Sequence, residues 1–308
     1  MNFADLHCDT IYECITKKQS LKNNNLAISI EKSEVFENWW QCFAVWMPDD
    51  GFLKKNFVFK SLNFWHKEIL KYENFKFCTN KKDFDSREKI KAILTVEGSY
   101  FLENLSDLKK AYDLGVRILT LTWNGKTFLG DGNKVKNPSG LTDFGKCVLR
   151  KMSALGMIVD VSHASDRLFY DTVEILSGKP FVATHSNSRS ICSHKRNITD
   201  EQFLIIKKSD GIVGLNFCSK FLVNNEIASI SDVLRHAEHF LELGGEKNLC
   251  IGSDFDGLSR EEICSGVSNI DCIPMLYKEF SKYFGEKISK DIFFNNAKNF
   301  FLNNFPSF

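Results

Sequence analysis

The ten cysteines, spread from Cys8 to Cys272, never form a Cys-x-x-Cys pair. Several lie inside apolar runs, where a free thiol behaves as a small hydrophobe, so no disulfide framework is expected and the compartment reads as reducing. Charge of one sign is also missing. With 40 basic against 39 acidic residues the formal charge is +1, which leaves no global field to draw in nucleic acid or an anionic membrane. A small neutral or zwitterionic partner fits that balance. The amino terminus has no charged-then-apolar signal pattern, and the stretch 295–308 is broken by Asn and Lys. The expectation is a cytoplasmic protein without a spanning helix or lipid anchor. No internal repeat, low-complexity tract or linker divides the chain, which predicts one domain over residues 1–308.

Hydrophobic content is 43% and includes 28 phenylalanines, enough to bury one large core in a chain of 308 residues. Short β-branched runs predict strands at 3–9, 41–46, 90–97, 116–122, 157–162, 181–184, 211–217 and 249–253. Between them, amphipathic stretches predict helices at 57–72, 106–114, 143–155, 167–176, 200–208 and 230–243, with two more at 274–284 and 289–301. Glycines at Leu114-Gly115, Leu155-Gly156, Asp210-Gly211 and Leu243-Gly244 stand where a helix must turn into a strand. Eight strand-helix units imply parallel strands, so a (β/α)₈ TIM barrel is the leading fold, ahead of a doubly wound open sheet.

The polar residues that can do chemistry fall at the carboxyl ends of these strands. His7 and Asp9 end the first, Glu97 the third, His163 the fifth, His185 the sixth and Asp254 the eighth. A barrel brings such ends to one mouth, where its active sites lie. On an extended strand Asp5, His7 and Asp9 would share a face, with Leu6 and Cys8 on the other. Two further histidines and a Glu exceed what one catalytic metal requires, since such a site takes three protein ligands and keeps an open position. A bridging carboxylate resolves the count: His7, Asp9 and Glu97 on one divalent ion, and Glu97, His163 and His185 on a second. Imidazole and carboxylate ligands favour zinc, with manganese or iron as alternatives. Two ions about 3.5–4 Å apart can share a water and bring its pKa towards about 7.

These residues sit in motifs that span nearly the whole chain: Asp5-Leu6-His7-Cys8-Asp9, Gln41-Cys42-Phe43-Ala44-Val45-Trp46, Val96-Glu97-Gly98, Leu119-Thr120-Leu121-Thr122, Asp160-Val161-Ser162-His163-Ala164-Ser165, Thr184-His185-Ser186, Arg196-Asn197 and Gly252-Ser253-Asp254-Phe255-Asp256-Gly257. In them the chain resembles the membrane (renal) dipeptidase family of the amidohydrolase superfamily. The resemblance implies a binuclear zinc barrel that hydrolyses dipeptides, often with a D-residue at the second position, and a homodimer. It makes Asp254 the residue that carries a proton from the attacking water to the leaving amine, and Arg196 the clamp on the substrate's free carboxylate. Two positions depart from the pattern. Where some members place a histidine to polarise the scissile carbonyl, this chain has Trp123 followed by Asn124, either of which offers an N–H as substrate-binding donor but no positive charge. Phe221 stands where a tyrosine is expected, so a more apolar pocket is predicted. The absent signal pattern resembles the cytosolic bacterial branch. A lactonase, deaminase or N-acyl amino acid hydrolase is the alternative chemistry, although such relatives carry His-x-His at the first strand. A non-catalytic binding module is a further alternative.

Overall fold

The computed structural model describes residues 1–47, 55–224 and 227–307. The chain runs through β1 (Asn2–Cys8), α1 (Thr10–Thr16), β2 (Asn38–Trp46), α2 (Lys55–Ile69), β3 (Phe75–Phe77), β4 (Ile90–Glu97), α3 (Leu105–Asp113), β5 (Val116–Thr120) and α4 (Asp143–Leu155). It continues as β6 (Ile158–Asp160), α5 (Asp166–Leu176), β7 (Val182–Ala183), α6 (Asp200–Lys208), β8 (Ile212–Leu215), α7 (Ser219–Leu222), α8 (Ile230–Glu242) and β9 (Leu249–Ile251). The last helices are α9 (Ile273–Phe284), α10 (Glu286–Lys290) and α11 (Asn296–Asn304).

All strand pairs are parallel, and β2–β4 together with β1–β9 pairing closes eight strands into a barrel. Closure excludes the open doubly wound sheet. The short β3 lies outside the eight. It pairs with Ile90 to Ala92 at the start of β4, leaving the same edge free further along for β5. Three residues give too little alternation to mark a strand in sequence.

Side-chain alternation sorts the core into two clusters. Ala4, Leu6, Cys42, Ile93, Ile118, Ile158, Val182, Ile212 and Cys250 fill the barrel, one or two from each strand. The alternate positions, such as Phe43, Leu94, Val159 and Val213, pack outward with helix residues including Leu62, Leu108, Leu149 and Leu168. Phe294, Phe300, Phe301 and Phe305 plug the floor against Trp40 and Phe84, and each such ring, fully buried, contributes about 1.5–3 kcal/mol. The site can therefore form only at the opposite, carboxyl-terminal rim.

Helix starts follow their caps. Thr142 accepts from Gly145 N, Ser165 from Leu168 N, and Thr199 forms a capping box with Gln202. Gly156, at φ +70°, ends α4 in the left-handed conformation that glycine adopts without strain.

One expectation is overturned. Between Asp5 and Cys8 the register against β2 slips, with Asp5 opposite Gln41 and Cys8 opposite Phe43, so β1 carries an extra residue. This bulge separates Asp5 from His7 and Asp9 instead of leaving all three on one face. Asp5 stays beside Gln41 and accepts from Gln41 Nε2, Ser253 N, Ser253 Oγ and His7 N. Its carboxylate is spent on tying β1 to β2 and to the turn after β9. Leu6 also departs from the expected pairing with Cys8, since it joins the barrel interior while Cys8 packs in the outer cluster.

Candidate metal centre

Five barrel strands, β1, β4, β6, β7 and β9, end at the site, and in three places the ladder stops two or three residues before the functional side chain. His163 follows β6, His185 follows β7 and Asp254 follows β9, whereas Glu97 is the last residue of β4. The cause is local backbone. His163 (φ +66°) and Asp254 (φ +62°) adopt the left-handed region, which costs a non-glycine residue roughly 1–3 kcal/mol and turns each side chain off the strand. His185 reaches the mouth by another route. A Cβ at Gly214 or Gly252 would overlap the Thr184 carbonyl oxygen, so the two glycines let that backbone bend into the barrel.

Six expected residues converge. Glu97 Oε1 lies 2.8 Å from His163 Nε2 and 3.2 Å from His185 Nε2, while Glu97 Oε2 lies 3.6 Å from His7 Nε2. Asp9 Oδ2 and Asp254 Oδ1 approach the same His7 nitrogen at 3.4 and 3.7 Å. His7, Asp9 and Glu97 form one group of atoms compact enough to hold a cation, and Glu97, His163 and His185 form another. A third such group is His7, His185 and Asp254.

Hydrogen bonds decide which imidazole nitrogens are free. His163 Nδ1 donates to Asn124 Oδ1 at 3.1 Å, and that oxygen also accepts from Asn133 Nδ2 at 3.2 Å. His185 Nδ1 donates to Thr184 Oγ1 at 2.8 Å, because that hydroxyl gives its own proton to Asp160 Oδ2 at 2.6 Å. Both Nε2 atoms are thus left as lone pairs, facing each other at 3.0 Å with the Glu97 oxygen alongside. His7 Nε2 and Asp9 Oδ1 are buried without any hydrogen-bond partner among the described residues. Converging electron pairs and orphaned buried atoms of this kind call for a cation, and the donors suit a divalent metal.

Electrostatics agree. Burial, reinforced by the charges of Arg196 and His7, holds His163 well below its usual range, and His185 is depressed by burial together with His7, Arg196 and His163. Both imidazoles are therefore held in the neutral form that can bind a cation. Burial would lower His7 too, but Glu97, Asp9 and Asp254 outweigh it and raise its pKa to about 10. Burial and the neighbouring Asp9 push Asp254 up, opposed by His7, Arg196 and the Asn216 amide. The cluster is rich in carboxylate and short of positive charge, which paired cations would balance.

The centre opens into a cavity of about 520 Å³ whose walls include Trp46, Trp123, His194, Arg196, Phe221 and Leu258. Arg196 is buried, and among the described residues only its Nη2 has a partner, the His185 carbonyl at 3.1 Å. Among the same residues its Nε and Nη1 have none. Its guanidinium carbon stands 5.3 Å from the centre of the Phe221 ring. Trp123 packs edge-on to Trp46 at 5.2 Å, and Asn124 also lines the cavity, with its carbonyl end committed to His163.

Several supporting residues escaped sequence reasoning. Asp160 accepts from Thr120 Oγ1, Thr184 Oγ1, Ser162 N and Thr184 N, and so fixes the Thr184 that orients His185. Asn216 holds Asp254 Oδ2 at 2.9 Å. Its signal was available, since it is a polar residue directly after β8, at a strand end where nothing had been assigned.

A parallel barrel with a cation-binding cluster at its carboxyl-terminal mouth defines a metal-centred (β/α)₈ architecture. The chain belongs to the membrane dipeptidase family, peptidase family M19, whose model matches residues 1–299. It is 32% identical over 221 residues to Dipeptidase 3 of Homo sapiens, covering 70% of this chain and 45% of that protein. To Dipeptidase 3 of Mus musculus it is 34% identical over 215 residues, covering 68% and 43%. The chain thus spans under half the length of these curated relatives. Among solved structures, the metallopeptidase "dipeptidase AC" superposes with a TM-score of 0.89 at 23% identity, covering 100% of this chain and 99% of that one. A metallopeptidase from Rhodobacter sphaeroides, liganded with a phosphinate mimic of L-Ala-D-Ala, gives 0.88 at 22% identity, with 99% of each chain covered. Both carry the same barrel. Among the described residues no helix is long and apolar enough to cross a membrane.

Proposed function

We propose that this chain is a metal-dependent dipeptidase that hydrolyses the single peptide bond of dipeptides, including those with a D-residue at the carboxyl-terminal position. The observation that carries this reading is the pairing, in one cavity, of the Glu97-centred cluster with a buried guanidinium whose Nε and Nη1 have no partner among the described residues. A short substrate with a free carboxylate supplies what Arg196 lacks, while the reacting bond lies over the cluster. His7, Asp9 and Glu97 would hold one divalent cation, and Glu97, His163 and His185 the other, with zinc the metal best suited to these donors. Bound there, such ions acidify water and polarise a carbonyl.

The chain's own residues do the rest. Asn124 and Thr184 keep the two imidazoles in the tautomer that leaves Nε2 bare. Asp254, steadied by Asn216 through one oxygen, keeps the other facing the cluster, where it can take a proton from the attacking water and return it to the departing nitrogen. Arg196 fixes the carboxylate and so sets which bond reaches the cluster. Trp123 and Asn124 form the wall beside the scissile carbonyl.

The resemblance further implies a homodimer, and ten cysteines without a disulfide fit a reducing, cytoplasmic setting. The test is a dipeptide panel that includes L-Xaa-D-Xaa members and carboxyl-terminal amides, run on metal-reconstituted protein. Release of amino acids from free-acid dipeptides, with amides poor, is expected. Turnover of lactones or N-acyl amino acids but of no dipeptide would replace this reading by the alternative one.

A further inference from the structure

Among the described residues the Arg196 side chain has one hydrogen bond, so its aim is set by the backbone of the loop that carries it. That loop, residues 186–199, is stitched together by Asn197, whose amide donates to the carbonyls of Ser188, Cys192 and Phe221. The Phe221 bond also ties the loop to α7, and hence to the ring beside the guanidinium. From behind, both segments meet one wholly buried side chain on α8. His236 Nδ1 accepts from Ser188 N at 3.0 Å, and its Nε2–H donates to the Leu222 carbonyl at 3.0 Å. A second tie lies one turn on. His239 Nε2 contacts Asp200 Oδ1 at 2.7 Å, and the same oxygen accepts from Ser190 Oγ at 2.9 Å.

We propose that His236 is a positioning residue for carboxylate recognition: by joining Ser188 to Leu222 it sets the spacing between the Arg196 loop and α7, and so holds Arg196 and Phe221 as one clamp. The chemistry of the bridge is specific. An N–H on one segment and a C=O on the other must be joined through one buried side chain, which then needs an acceptor and a donor at opposite edges. Neutral imidazole has both, and so does a primary amide. An apolar residue would strand two backbone groups. His236 is not among the cavity-lining residues and is no part of the cation-binding groups, so its influence on substrate must pass through the loop.

The inference rests on the dipeptidase reading for its substrate, and two kinds of measurement separate the two. In metal-reconstituted His236→Ala, KM for free-acid dipeptides is expected to rise about tenfold, with kcat and metal content within about twofold of wild type. KM for the matching carboxyl-terminal amides should not move, and His236→Gln should recover most of the loss. Amide hydrogen exchange should quicken in residues 186–199 and 219–222 of the Ala variant while β1 and β4 stay protected. Equal shifts on acids and amides, a fall in kcat alone, or unchanged exchange in both segments would overturn the proposal. If His236→Ala does not accumulate as folded protein, His239→Ala decides by the same comparison, with a KM rise of about threefold expected and none overturning it. Wild-type protein that cleaves no dipeptide would sink the functional reading alone, and the exchange measurement would then decide the brace by itself.

Discussion

The Nε2 atoms of His163 and His185 stand 3.0 Å apart with each ring's Nδ1 proton held elsewhere, so two lone pairs are kept face to face beside Glu97. This arrangement depends on Asn124 as much as on the imidazoles. Asn124→Leu should weaken metal affinity about 10–100-fold, the usual cost of losing an outer partner of a ligand histidine. Competition against a chromogenic chelator measures it. Unchanged affinity would mean that His163 needs no outside help to keep its tautomer.

Glu97 is the one residue shared by the two compact ligand groups that also contain His7 with Asp9 and His163 with His185. Glu97→Ala should therefore lose both cations and turnover together. Elemental analysis that still finds two ions per chain would remove its bridging role.

Asp254 is held by Asn216 at 2.9 Å and stands 3.7 Å from His7 Nε2. Asp254→Asn keeps the shape and removes proton transfer, so metal content should stay level while kcat falls by about 10²–10⁴. Near-normal kcat would exclude it as the proton carrier.

Arg196→Lys keeps the charge and loses the planar fork. KM for free-acid dipeptides should rise about 10–100-fold, with carboxyl-terminal amides less affected. An equal loss on both substrate types would argue that the guanidinium does not meet the carboxylate.

Acid stability should carry the mark of His236. Burial pushes its pKa down to about 4, helped by the charges of Arg235 and His239 and opposed by the Leu222 carbonyl and Asp232. The unfolded chain protonates this group near the ordinary value of about 6.5, so the stabilisation is complete above that pH and is lost as pH falls from there towards about 4. Between pH 7 and 5 urea unfolding should show a loss of about 2 kcal/mol that is absent in His236→Gln. The same slope in the variant would assign the effect to other groups.

Much of the site could be read from sequence because barrel topology converts strand ends into neighbours. His7, Asp9, Glu97, His163, His185 and Asp254 were each found by that rule alone. What it could not supply was one-residue detail. The β1 bulge turns on a single inserted residue, which no hydrophobic pattern records, and it moved Asp5 away from the site. The orienting roles of Thr184, Asn124 and Asn216 could not be read for another reason. Such residues populate caps and turns throughout a chain, and only their hydrogen bonds reveal what they orient. The seven-residue α1 was missed because it begins immediately after Asp9 and gives under two full turns of periodicity.

The phenylalanine plug closes the floor of the barrel, so among the described residues the cluster opens towards the cavity lined by Trp46 and Phe221. A substrate and any bound cation would share that cavity. A molecule lodged between Arg196 and Glu97 then stands in the ions' exit path, so a tightly seated inhibitor should slow the stripping of metal by a chelator.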